Sequence, residues 1–238
     1  MVAKSILYVA ALAALSMVAA QNASAATMYP AILSDLSDGI VQNATQGPVT
    51  NEGDVWVGRA SFDASRCAIF VFQLPTLTAG ETISGATLTN PLWGKDGTPA
   101  FNVDAYAVRV TGGTPAIALS DWGYGPSAGN TTLLEAAYYT PTSTGPAVSS
   151  VTGNANLVSY LNSNYAAKSY VFIRLNPDLA AGSEGGAGTQ YRFNTRDLYD
   201  ANSSFAPPTL TLTTVPEPAS LALLGLSGLA MLRRRRQA

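Results

Sequence analysis

The sequence predicts an all-β protein: an antiparallel β-sandwich or jelly roll carrying one short helix, bracketed by an N-terminal signal helix and a C-terminal hydrophobic helix. Three observations lead there. Short apolar-rich segments alternate with Gly, Pro, Asn and Thr clusters through the middle of the chain. One stretch alone places its apolar residues four apart. The two ends carry uninterrupted apolar runs next to basic residues, the pattern of addressing segments rather than of a folded core.

Lys4 opens the N-terminal segment, Ile6 to Ala20 are apolar, and Ala23-Ser24-Ala25 forms an A-x-A cleavage site. Together they predict a secretory signal peptide over residues 1–25, cut after Ala25. The apolar run falls short of the roughly 20 residues that span a bilayer. A single domain is then expected over 26–214. It retains 8 basic against 14 acidic residues, a net charge of −6, which speaks against a nucleic-acid partner.

Eight strands are expected: Asp54–Gly58, Arg66–Leu74, Thr82–Leu92, Phe101–Val110, Ala147–Val151, Ser169–Leu175, Gln190–Thr195 and Thr209–Thr214. In the last, Leu210 and Leu212 face one way and the threonines the other. Arg66–Leu74 is apolar on both faces, as in a central strand covered on each side. Asn154–Tyr165 spaces Leu157, Leu161 and Tyr165 as one helical face, with Thr152 or Asn154 as its cap. Residues 111–146, rich in Gly, Pro, Thr and Ser, read as long loops.

Chemistry is bounded by what the chain lacks. With no histidine and one cysteine, a Ser-His-Asp triad, a Cys-His dyad, an imidazole metal site, a cysteine zinc cluster and an intrachain disulfide are all excluded. No cofactor or metal ligand set is recognisable, although Asp- and Asn-rich loops offer oxygens for a structural Ca²⁺. The carboxylate pairs Asp35/Asp38, Glu52/Asp54 and Asp197/Asp200 sit in polar, loop-like context and read as solvated acids. No catalytic residue is therefore assigned. Trp93, entering the turn Gly94-Lys95-Asp96-Gly97, and Trp122 with Tyr124 are the candidate glycan contacts, because sugar rings stack on indole and phenol faces. The competing reading folds Trp122 back as a plug. Trp56 is expected in the core, and Cys67 as a small buried hydrophobe.

The last 24 residues set Val215-Pro216-Glu217-Pro218 before an apolar segment, Ala219 to Leu232, and then Arg233, Arg234, Arg235 and Arg236. The prolines impose an extended entry, and the arginines fix the chain end on the cytoplasmic side. A helix of that length rises about 21 Å, which suits transient retention in the inner membrane. This order resembles the PEP-CTERM sorting signal over residues 215–238. The resemblance implies an exosortase that reads Pro216, Glu217 and Pro218 and removes the tail. It also implies delivery to the cell surface or extracellular matrix of a Gram-negative bacterium that makes exopolysaccharide.

A second resemblance covers about residues 38–214. Val57-Gly58, Arg66, Phe72-Gln73-Leu74-Pro75 and Ile83 with Ala86-Thr87-Leu88 resemble the first half of the DNRLRE-type domain, a secreted β-sandwich. Leu157–Leu161 followed by Tyr170–Leu175, Thr195-Arg196-Asp197 and Ala206-Pro207-Pro208-Thr209-Leu210 resemble its second half. Val71 and Gln73 depart from the Arg and Asp often found there. Some members of that family bind carbohydrate. The expectation is thus a secreted, non-enzymatic surface protein that contacts polysaccharide. The alternatives are a secreted polysaccharide lyase or hydrolase, with a Tyr paired to Arg109, Arg174 or Arg192, and an ice-binding array on Thr209, Thr211 and Thr213.

Overall fold

The computed structural model describes residues 25–30, 38–42, 48–50, 54–59, 64–126, 131–195 and 206–216. The expected signal helix, the hydrophobic tail helix and the acids Asp35, Glu52, Asp197 and Asp200 lie outside them. Thirteen strands and one α-helix occur among the described residues: β1 (Ala25–Pro30), β2 (Asp38–Gln42), β3 (Pro48–Thr50), β4 (Asp54–Arg59), β5 (Ser65–Gln73), β6 (Glu81–Asn90), β7 (Leu92–Asp96), β8 (Val103–Thr111), β9 (Thr132–Tyr139), β10 (Ala147–Val148), α1 (Val151–Asn164), β11 (Tyr170–Pro177), β12 (Thr189–Asn194) and β13 (Thr209–Pro216).

They form two sheets, with every pairing antiparallel. The smaller has the order β1-β13-β6-β10. The larger runs β7-β12-β4-β5-β11-β8-β9, with β2 pairing β3 and β5. The expected all-β, sandwich-like architecture with one helix is what the chain builds.

β5 shows why. Its even-numbered residues Ala68, Phe70 and Phe72 enter the main core, together with Ile83 and Leu88 of β6 and Leu210 and Leu212 of β13. Its odd-numbered residues Cys67, Ile69 and Val71 enter a second cluster on the opposite face, with Ile117 and Phe172. Six consecutive residues of β5, Cys67 to Phe72, are fully buried. The larger of them, Ile69, Phe70, Val71 and Phe72, each stabilise the fold by about 1.5–3 kcal/mol of transfer free energy. The doubly apolar run is thus a strand covered on both sides.

The helix starts earlier than its apolar spacing suggests. Ser150 is the cap, and its hydroxyl accepts from Gly153 N at 3.1 Å. Ala147–Val151 consequently shortens to the two residues of β10. Leu157 and Leu161 face the core. Asn162 clasps β6 with both amide atoms, donating to Ile83 O at 2.8 Å and accepting from Ile83 N at 3.3 Å.

The expected long loop over 111–146 is corrected by β9. Thr132–Tyr139 (TLLEAAYY) contains helix formers and shows no period of two. Its register against β8 shifts twice, and Ala137 takes a left-handed φ of 52°. These irregularities let consecutive Tyr138 and Tyr139 both turn inward. Tyr138 donates to Leu88 O or Ala147 O, and Tyr139 donates to Asn90 O while accepting from Ala147 N. β9 thereby ties the two sheets together. β1, β2, β3 and β7 were likewise not expected as strands.

Candidate functional site

The larger sheet's face away from the main core divides into a covered part and an open part. Over β5, β11 and β8 it is covered by the segment 112–126. Asp121 fastens that segment: Arg109 donates to its two carboxylate oxygens at 2.6 and 2.8 Å, and Ala118 N donates to Oδ2 at 2.8 Å. The Arg109 guanidinium also lies 3.6 Å over the Phe172 ring. Behind it, buried Arg174 donates to Asp121 O at 2.9 Å and to Asn176 Oδ1 at 3.2 Å. The segment therefore rests on two arginines whose guanidinium groups are occupied in holding it.

Trp122 and Tyr124 belong to this cover. Their rings stack with centroids 6.2 Å apart and 19° between planes. Trp122 is half-buried against Cys67, Ile69, Val71 and Phe172, a packing role close to that of a plug. Tyr124 turns its hydroxyl toward Glu184 and Ser65. Burial first, and then the Glu184 carboxylate, push that hydroxyl far above the ordinary tyrosine range. Ser65 Oγ donates to Glu184 Oε1 at 2.5 Å.

Trp93 stands apart from this pair. Residues Gly94-Lys95-Asp96, expected as a turn, instead form the edge strand β7, paired to β12. The register slips between Arg192 and Phe193, and Trp93 sits at that bulge. Its side chain is 42% exposed, and the Arg192 guanidinium lies 3.6 Å from its ring centroid. Arg192 Nε donates to Asp54 Oδ2 at 2.6 Å, Arg192 Nη1 lies 3.7 Å from Asp96 Oδ1, and Trp56 Nε1 donates to the same Asp54 Oδ2 at 2.7 Å. Gln190 Nε2 donates to Asp96 Oδ2 at 2.9 Å. Arg66 covers the Trp56 ring at 4.4 Å, so Trp56 is half-buried rather than a core residue.

The outcome is an open strip along β7, β12 and β4 that bears Trp93, Arg192, Asp54, Asp96 and Trp56. Strand alternation alone could have found it. Val55, Val57, Tyr191 and Phe193 all point into the core, so Asp54, Trp56, Gln190 and Arg192 must point away. In sequence, Asp54 stands next to Glu52 as a loop-like carboxylate pair, and nothing local ties it to Arg192.

Features expected of the enzymatic alternative are arranged differently. Arg174 lies 5.7 Å over the Tyr106 ring, but it is fully buried and holds the covering segment. Tyr106 donates to Asp104 at 3.3 Å, and its hydroxyl is pushed up to about 12 by burial first and then by the Asp104 charge. A groove of about 290 Å³ between β9 and α1 is lined by Thr132, Leu133, Asn156 and Tyr160, with neither carboxylate nor arginine. The threonines of the ice-binding alternative pair across strands, Thr209 with Thr89 and Thr211 with Thr87. Such pairs stabilise a sheet, and Thr209 is buried. Among the described residues no group of three His, Cys, Asp or Glu could hold a metal ion.

The remaining feature is the exit of the chain. β13 continues through Val215 to Pro216, paired with Thr82 and Glu81 of β6, so the first proline of the expected motif closes a strand. Glu217, Pro218 and Arg233 to Arg236 lie beyond the described residues. An all-β, sandwich-like body whose last described strand ends at the first proline of a terminal addressing segment defines the class of protein. The particular segment is identified by comparison: residues 214–236 match the PEP-CTERM protein-sorting motif. The motif marks the chain as an exosortase-targeted extracellular protein, delivered to the cell surface. No curated protein matches the sequence. No helix among the described residues is long and apolar enough to cross a membrane.

Proposed function

We propose that this is a non-enzymatic surface or matrix protein that contacts exopolysaccharide through the strip centred on Trp93. The observation that carries the reading is the exposed indole on an edge strand, backed by an arginine and two carboxylates. An indole supplies an apolar face for the C–H side of a pyranose ring. Beside it, partly exposed Asp96 and the guanidinium of Arg192, 3.7 Å apart, offer an acceptor and donors for its hydroxyls. Arg192 is itself neutralised by Asp54, so the strip favours a neutral or weakly acidic glycan over a dense polyanion.

The sandwich resembles the DNRLRE-type domain, some of whose members bind carbohydrate, and this supports the same reading. Residues 1–25 serve as the cleaved export signal. Residues 219–232 hold the chain in the inner membrane until the exosortase cuts, because the four arginines resist translocation. Trp122 and Tyr124, committed to packing, are not assigned to the contact. No metal or cofactor is required.

The test is retardation of the protein in gels containing the host's exopolysaccharide. Trp93→Ala should abolish retardation while leaving the far-ultraviolet dichroism unchanged. Retardation equal to wild type in that variant would refute the strip.

A further inference from the structure

We propose that the groove between β9 and α1 is a second polysaccharide contact, separate from the Trp93 strip and built for a neutral sugar residue. The proposal takes its class of partner from the reading above, but none of its residues belongs to the strip.

The sequence of α1 makes the first argument. From Val151 to Asn164 the helix carries no charged residue. The solvent side of a surface helix is ordinarily filled with charged, strongly helix-forming side chains. Here Asn156, Ser159, Ser163 and Asn164 stand there instead, all exposed. Asn and Ser rank below Lys, Glu, Gln and Arg as helix formers. With Tyr160 they fall at intervals of three and four, which puts them on one face. That face thus gives up helix propensity for uncharged hydrogen-bonding groups.

The geometry makes the second. Those residues, with Thr132 and Leu133 of β9, line the groove of about 290 Å³. Asn156 Nδ2 donates to Leu134 O at 2.8 Å, and Asn164 Nδ2 donates to Tyr160 O at 2.9 Å. Each bond orients its amide, and among the described residues nothing donates to either Oδ1. Two oriented acceptors are therefore held about 12 Å apart along the helix axis. Leu133, 44% exposed, and the half-buried Tyr160 ring supply apolar surface between hydroxyls. Burial pushes the Tyr160 hydroxyl above the ordinary tyrosine range, so it stays a neutral donor.

This lining selects its ligand. It offers no cation to a phosphate or uronate, and the net charge of −6 on the mature domain repels both. It offers no carboxylate to an amine. A helical peptide would need a row of apolar anchors, which Leu133 and Tyr160 alone do not make. A neutral pyranose fits, with its C–H face on Leu133 and Tyr160 and its hydroxyls donating to the two asparagine oxygens. So open a groove holds one sugar weakly. It acts on a polymer once the strip has engaged, through the raised effective concentration of neighbouring sugars.

Because the groove alone is too weak to retard the protein in a gel, the test is nuclear magnetic resonance on the isotope-labelled protein recovered from its host. The probe is the host's exopolysaccharide, partly hydrolysed and split by anion exchange into neutral and acidic oligosaccharides. The neutral set should shift the side-chain amides of Asn156 and Asn164 with half-saturation in the millimolar range, in wild type and equally in Trp93→Ala. The acidic set should leave them in place. Ser159→Gln with Ser163→Gln fills the groove with longer, better helix-forming side chains. This variant should lose the amide shifts while the Trp93 indole signal still responds. Groove amides that stay unmoved in wild type while the indole shifts would overturn the proposal and leave the strip standing. Groove shifts with a silent indole would uphold the groove and strike the strip. Shifts that vanish in Trp93→Ala, persist in the filled variant or follow the acidic set would each overturn the proposal.

Discussion

Asp121→Ala should loosen the segment that covers the outer face of the larger sheet. The Asp121 carboxylate is 1% exposed and accepts from Arg109 twice and from Ala118 N once. Removing one partner of a buried ion pair costs about 3–5 kcal/mol, because the other charge is left without compensation. Arg109 is 32% exposed, so water can reach it in the variant, and the expected loss falls to about 2–4 kcal/mol. With an urea m-value of about 2 kcal/mol/M, the unfolding midpoint should drop by about 1–2 M at unchanged m. Asp121→Asn, which keeps an acceptor for Ala118 N, should lose less. Tryptophan emission should shift to the red before global unfolding, as Trp122 leaves its contacts with Cys67, Ile69 and Val71. A midpoint within about 0.3 M of wild type would reduce the clamp to an ordinary surface pair.

Ser150→Ala removes the cap of α1 and should cost about 1 kcal/mol in urea unfolding, whereas Thr152→Ala, at one of the two caps expected from sequence, should cost much less. Gly123→Ala puts a methyl group 2.7 Å from Cζ of buried Arg174, and should lower the thermal midpoint more than Gly112→Ala, where a Cβ meets open space. Tyr106 titrates near 12 when folded and near 10 when unfolded, so between those values the native state binds the extra proton. Stability should therefore fall as pH rises from 10 to 12, and Tyr106→Phe should flatten that slope in pH-dependent unfolding.

The parts of the fold legible in the sequence are those where one local rule acts alone. The doubly apolar Arg66–Leu74 and the alternating Thr209–Thr214 became strands within a residue or two of their expected limits at most ends. β9 was hidden because its inward residues are set by two register shifts and a left-handed Ala137, which no period describes. β7 was hidden because Gly94-Lys95-Asp96 carries turn residues, and only pairing with β12 makes it a strand. The same tertiary pairing decides the candidate site. Trp93 was visible as an isolated indole, but its Arg192 and Asp54 neighbours come from strands about 100 and 40 residues away in sequence, brought together by sheet order. Trp122 and Tyr124 carry the same chemistry in sequence, yet the Arg109–Asp121 clamp turns them toward the sheet.

A sandwich exported through its leader, held by its tail and then freed of it leaves a direct trace in the C-terminal mass of the protein recovered from the surface or matrix of its host. The recovered chain should end between Pro216 and the apolar segment, with residues 219–238 absent, and Glu217→Ala should leave the full tail in the membrane fraction. Recovery of wild-type protein from the surface with Arg233 to Arg236 still attached would contradict it.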